Sequence, residues 1–90
     1  MNITTIVLAN GEEIVGRFKE ETETSITLEK PVRIILNPKG IAFAPTCISI
    51  SDASEFTFSK DHVLYSGNTR HEIADHYIQA STGIQLTSSL

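Results

Sequence analysis

The chain has 90 residues, a net charge of −4 from seven basic and eleven acidic side chains, and one cysteine. That length makes one domain, and a single cysteine excludes an internal disulfide framework or a cysteine-only metal site. The negative charge argues against a generic electrostatic footprint for nucleic acid, though a local basic patch is compatible with it.

No apolar run approaches the roughly 18 residues of a membrane span. Met1-Asn2-Ile3-Thr4-Thr5 lacks the basic segment and long apolar core of a secretory signal. A cytoplasmic, reducing location and no membrane contact are expected.

Residues 3–8 read as a first strand and residues 13–20 as a second, joined through Asn10-Gly11. Asn-Gly between two apolar runs signals a two-residue type I′ hairpin, because both central residues of that turn need φ > 0. In the second strand Ile14, Gly16 and Phe18 share one face, and Val15, Arg17 and Lys19 the other. Glycine weakens a strand unless it permits a bulge, a bend or a close backbone approach, so a bend is expected at Gly16. The polar run Glu21-Thr22-Glu23-Thr24-Ser25 leads into a third strand from Ile26. Pro31 interrupts it, since proline cannot donate to a ladder and belongs at an edge or bulge, and residues 32–36 continue it.

Asn37-Pro38-Lys39-Gly40 has the composition of a type I turn. A fourth strand is expected over residues 41–50, with Pro45 as a candidate break. Ser51-Asp52-Ala53-Ser54 then turns the chain into a fifth strand over 55–65. Strands at this spacing indicate an all-β sandwich or barrel. A tight hairpin feeding a bent strand favours the barrel.

The last quarter changes period. Thr69-Arg70-His71-Glu72 fits a capping box, and Ile73, Ala74, Tyr77, Ile78 and Ser81 fall on one helical stripe. A helix over 69–83 is expected, packed on or beside a barrel of residues 1–68 within the same domain. Gly83 is placed to end it in a left-handed cap with Ile84 against the last turn, leaving 84–90 as a tail.

Catalytic patterns are lacking. His71 and His76 are five residues apart, about 140° around a helix, and so cannot share one metal as an i, i+4 pair does. Glu72–His76 and His71–Asp75 are better read as i, i+4 surface pairs. Asp61 and His62 are neighbours on a strand and face opposite ways. There is no nucleophile elbow and no phosphate-binding glycine loop. Cys47, beside Ile48 and Ile50, reads as a small hydrophobe. No enzyme, metal or cofactor is expected. Phe58 and Tyr65 read as core rather than as base-stacking platforms.

The pattern Leu8-x-Asn10-Gly11-x-x-Ile14-x-Gly16-x-Phe18, followed by Ile26-x-Leu28, resembles the first conserved block of the Sm and Sm-like proteins. Ser59-Lys60-Asp61-His62-Val63-Leu64 resembles the segment leading into the last strand of the bacterial Sm-like RNA chaperone. The resemblance covers residues 3–66. It implies a strongly bent five-stranded antiparallel barrel, here with a C-terminal helix, and assembly into a homo-oligomeric ring that binds single-stranded RNA. Leu28-Glu29-Lys30-Pro31, Gly40-Ile41-Ala42-Phe43-Ala44-Pro45 and the ending from Ile73 to Ile84 also resemble small proteins of marine tailed phages, which implies a viral source and host cytoplasm but no activity.

By that resemblance Lys60, His62, Thr22, Thr24 and Ser25 are the candidate RNA contacts, while Asn10, Gly11 and Gly16 serve the turn and the bend. Two departures bear on the site. The places where the family reads a base with Asp and Asn hold Thr22 and Ile26, and an isoleucine cannot hydrogen-bond a base edge. The Ile-Arg-Gly signature of the second conserved block is missing, with only Ser66-Gly67-Asn68 near its place. The alternative is therefore a structural or protein-interaction ring without an RNA pocket. In either ring the edges near 41–50 and 63–66 are expected to pair between subunits.

Overall fold

A computed structural model describes residues 2–46 and 55–87, with helical side chains to residue 80. The elements are β1 (Ile3–Leu8), β2 (Glu13–Glu21), β3 (Ser25–Asn37), β4 (Gly40–Pro45), β5 (Glu55–Ser59), β6 (Val63–Asn68) and α1 (His71–Thr87). A short 3-10 turn, Lys60–His62, lies between β5 and β6. Among the described residues, no helix is long and apolar enough to cross a membrane.

All strand pairs are antiparallel, in the order β4-β3-β2-β1-β6, with β5 also on β3. Among the described residues, the five strands expected are six. β2 pairs with both halves of β3, so β4 on residues 32–37 and β5 on residues 25–29 share the opposite edge and lie end to end. Six strands thus occupy five rows. The described part of the expected fourth strand ends at Pro45, and its residues 47–50, Cys47 included, lie with the expected turn at 51–54 outside the described residues. The expected fifth strand divides because Ser59 Oγ accepts from Asp61 N at 3.3 Å and Lys60 N donates to Thr24 O at 2.9 Å, which turns the chain out of the ladder.

Three residues carry the chain from β5, on one side of the sheet, to β6 on the other. A 3-10 segment of three residues rises about 6 Å. The two sides must therefore lie close together, and the sheet is curled. Ile6, Ile14, Ile26 and Leu28 are buried as one cluster, with Leu8, Phe18, Phe58 and Val63 packed against it. β6 pairs with β1 alone among the described residues, so the sheet is curled but unclosed.

The first turn corrects an expectation. Leu8 N donates to Glu12 O at 2.9 Å and Gly11 N to Leu8 O at 2.8 Å, which closes a three-residue loop rather than a type I′ turn. Positive φ is needed at Gly11 alone, at +91°, and Asn10 instead accepts from Glu12 N through Oδ1 at 2.9 Å. A three-residue loop ending in a left-handed glycine is the next commonest hairpin solution. The turn at 37–40 falls where expected, with Asn37 Oδ1 accepting from Lys39 N at 2.9 Å.

The bend has a specific construction. Val15 pairs with Val32 and Arg17 with Glu29, so Lys30 and Pro31 of β3 both oppose Gly16 of β2. This bulge coincides with the gap between β4 and β5, where a proline costs no ladder bond. Lys30 has φ of 47°, an uncommon conformation for a residue with a side chain. A Cβ on Gly16 would stand 3.0 Å from both Glu29 O and Leu28 Cβ, so the glycine is needed for close approach.

α1 covers the other face of the sheet. Ile3, Val15 and Tyr77 are buried together, flanked by Val32, Ile34, Phe43, Ile73, Ala74 and Ile78. Val15, on the face it shares with Arg17 and Lys19, is buried because the helix packs over it. The capping box does not form: Thr69 Oγ1 bonds Thr5 Oγ1 at 2.8 Å, and Arg70 O accepts the first helical bond from Ala74 N at 2.9 Å. The helix also runs through Gly83 to Thr87. A lone glycine lowers helix propensity by about 1 kcal/mol but keeps its N–H, so it does not force an end.

Candidate nucleic-acid interface

The 3-10 turn gathers most of the residues singled out. Lys60 N is tied to Thr24 O, and Lys60 Nζ lies 2.7 Å from Glu21 Oε2 at the end of β2. Across the same loop, Thr22 Oγ1 accepts from Ser25 N at 3.0 Å and Thr24 N at 3.2 Å, and lies 2.9 Å from Ser25 Oγ. Lys60, Thr22, Thr24 and Ser25 thus share one corner of the fold. His62 stands at the far end of the turn, where its carbonyl accepts from Ala9 N at 2.8 Å and its residue is exposed.

The hydroxyls in this loop are occupied mainly by the loop itself, which fixes its shape. The Lys60 ammonium is likewise paired. Besides Lys60–Glu21, Arg33 meets Glu12 at 3.2 Å and Lys19 meets Glu55 at 2.5 Å. The hydrogen bond that Lys19 donates to Glu55, and the negative charge of that carboxylate, raise Lys19 above the usual lysine value. Glu21, read from sequence only as part of a polar connection, is therefore a member of the site. The sequence reading ended that strand at residue 20, so the position of Glu21 as the last residue of β2 was not legible.

Ile26 is 3% exposed and packs in the core, which removes it from any base-reading role. Phe58 packs on the same cluster, as expected, and stacks on Phe56 with centroids 6.3 Å apart. Tyr65 is 67% exposed, contrary to its reading as core, because β6 is the last row of the sheet. Leu64, Leu36 and Ile41 are also exposed, at 62%, 80% and 40%. The two helix histidines separate: His71 Nε2 meets Asp75 at 3.1 Å, whereas His76 leaves Glu72 and packs on the Phe43 ring, with centroids 5.1 Å apart.

No family model and no curated protein matches the chain.

Proposed function

We propose that the chain is an Sm-like protein that forms a homo-oligomeric ring of about five to seven subunits and binds single-stranded RNA in the cytoplasm. The observation that carries the ring is the pair of sheet edges that are free among the described residues. β6 presents Leu64 and Tyr65 at one end of the sheet, and the β3–β4 hairpin presents Leu36 and Ile41 at the other. Unpaired edges with apolar side chains are templates for pairing, and two different edges joined head to tail close into a ring. The five-row curled sheet supports the small bent barrel that the conserved-block resemblance implies.

Leu64 offers a clean test. Tyr65 pairs with Val7 and Val63 with Leu8, so Leu64 is the bulge residue and has no partner on β1. Proline there spares the β1–β6 ladder while spoiling the outer edge. L64P is expected to convert rings to monomers in native mass spectrometry, and an unchanged assembly refutes this pairing.

The gathering of Lys60, Thr22, Thr24 and Ser25 supports the RNA reading, because a ring repeats one weak site around its axis and gains avidity. Affinity for short U-rich and A-rich RNAs is expected to fall steeply between about 50 and 200 mM salt, and K60Q to reduce the salt slope, by at most about 0.7 per engaged site. The alternative, a structural or protein-interaction ring, is favoured by the pairing of Lys60 with Glu21. Rings that bind neither RNA at low salt would decide for it.

A further inference from the structure

We infer that Glu21 sets the affinity of this interface by holding the ammonium that an RNA phosphate would otherwise engage. The inference rests on the RNA reading above. Both partners are anchored to the same hairpin. Glu21 ends β2, in register with Ile26, and Lys60 is fixed to Thr24 through its backbone N–H. The side chains then meet at 2.7 Å.

The pair is open to solvent, with side-chain exposures of 34% for Lys60 and 46% for Glu21. A pair of this kind adds little to folding stability. Its effect on an incoming anion is larger. Carboxylate and phosphate oxygens compete for the same ammonium donors. A lysine already neutralised by a carboxylate also holds fewer counterion-releasing contacts in reserve, so the salt-dependent part of RNA affinity is reduced. Glu21 thus works as a built-in competitor, and strands that bind must displace it.

The test is anisotropy of a labelled U-rich RNA on intact rings of four forms: wild type, E21Q, K60Q and the double variant. E72Q on α1 removes the same charge away from the Lys60 pair. E21Q is expected to bind about five- to tenfold more tightly near 50 mM salt, with a salt slope steeper than that of wild type and exceeding that of K60Q by about 0.7 per engaged site. The gain should vanish in the K60Q background, and E72Q should stay within about twofold of wild type. If wild type binds but E21Q is no tighter, or E72Q gains equally, the competitor role is overturned and the RNA reading stands. If neither wild type nor E21Q binds, the RNA reading falls and this inference with it.

Discussion

Valine at the buried Gly16 is expected to destabilise the protein by about 3 kcal/mol. The cause is space rather than backbone conformation. An added Cβ would meet Glu29 O and Leu28 Cβ at 3.0 Å and Pro31 Cα at 3.2 Å. Two of these atoms are backbone, and Leu28 is fully buried, so none can swing aside. The bulge would have to open, moving β3 away from β2 at the point where the sheet bends. Urea unfolding at matched protein concentration measures the loss, and a fall in Tm of about 15 °C is the thermal counterpart for a domain of this size. G67A supplies the control. A Cβ on Gly67 meets nothing within 4 Å, so its effect should stay within about 0.5 kcal/mol. Equal stability of G16V and wild type would mean that the bulge does not require the close approach.

Tyr77 carries the second large effect. It is 1% exposed, and its hydroxyl donates to Lys30 O at 2.7 Å, with Glu29 O at 3.3 Å. The helix therefore braces the strained residue of β3 from one side, while Thr46 Oγ1 donates to Pro31 O at 2.7 Å beside it. Tyr77→Ala is expected to cost about 4 kcal/mol through loss of the ring and the cavity it leaves. Tyr77→Phe keeps the edge-on contact with Phe43, at a centroid distance of 6.1 Å, and should cost about 1–2 kcal/mol for the hydroxyl alone. The difference between the two separates packing from hydrogen bonding.

The same residue gives a pH signature. Burial raises the Tyr77 phenol above its ordinary value of 10.0. Its ionised form is thus disfavoured in the folded state. The resulting stability contribution is constant below pH 10, where folded and unfolded chains both hold the proton. It is lost as pH rises from there through the folded value, because the unfolded chain ionises first. Tyr77→Phe should flatten that part of the alkaline unfolding profile. A decline of the same size in the phenylalanine variant would assign it to other groups.

Local pattern alone determined much of this protein. β1 follows from its run of β-branched residues and begins and ends where expected, and the turn at 37–40 follows from Asn, Pro and Gly at their usual places. The bend at Gly16 and the helix after Thr69 were also legible, since a strand glycine and a 3.6-residue stripe have few other uses. Candidate contacts next to one another in sequence, Thr22, Thr24 and Ser25, could be read as one loop.

Tertiary structure decided the rest, because those features depend on residues far apart in the chain. Pro31 ends nothing; it sits where one edge of β3 passes from β4 to β5, a division set by two strands that sequence order separates. Thr69 caps no helix because Thr5, brought alongside by β1 and β6, takes its hydroxyl. Val15 is buried only because a helix more than fifty residues later lies across it. Lys60 reaches Glu21 only because the curled sheet returns the 3-10 turn to the β2–β3 loop. Side-chain period and turn chemistry are local and can be read from the chain. Which face is covered, which hydroxyl is taken and which charge is neutralised are set by packing.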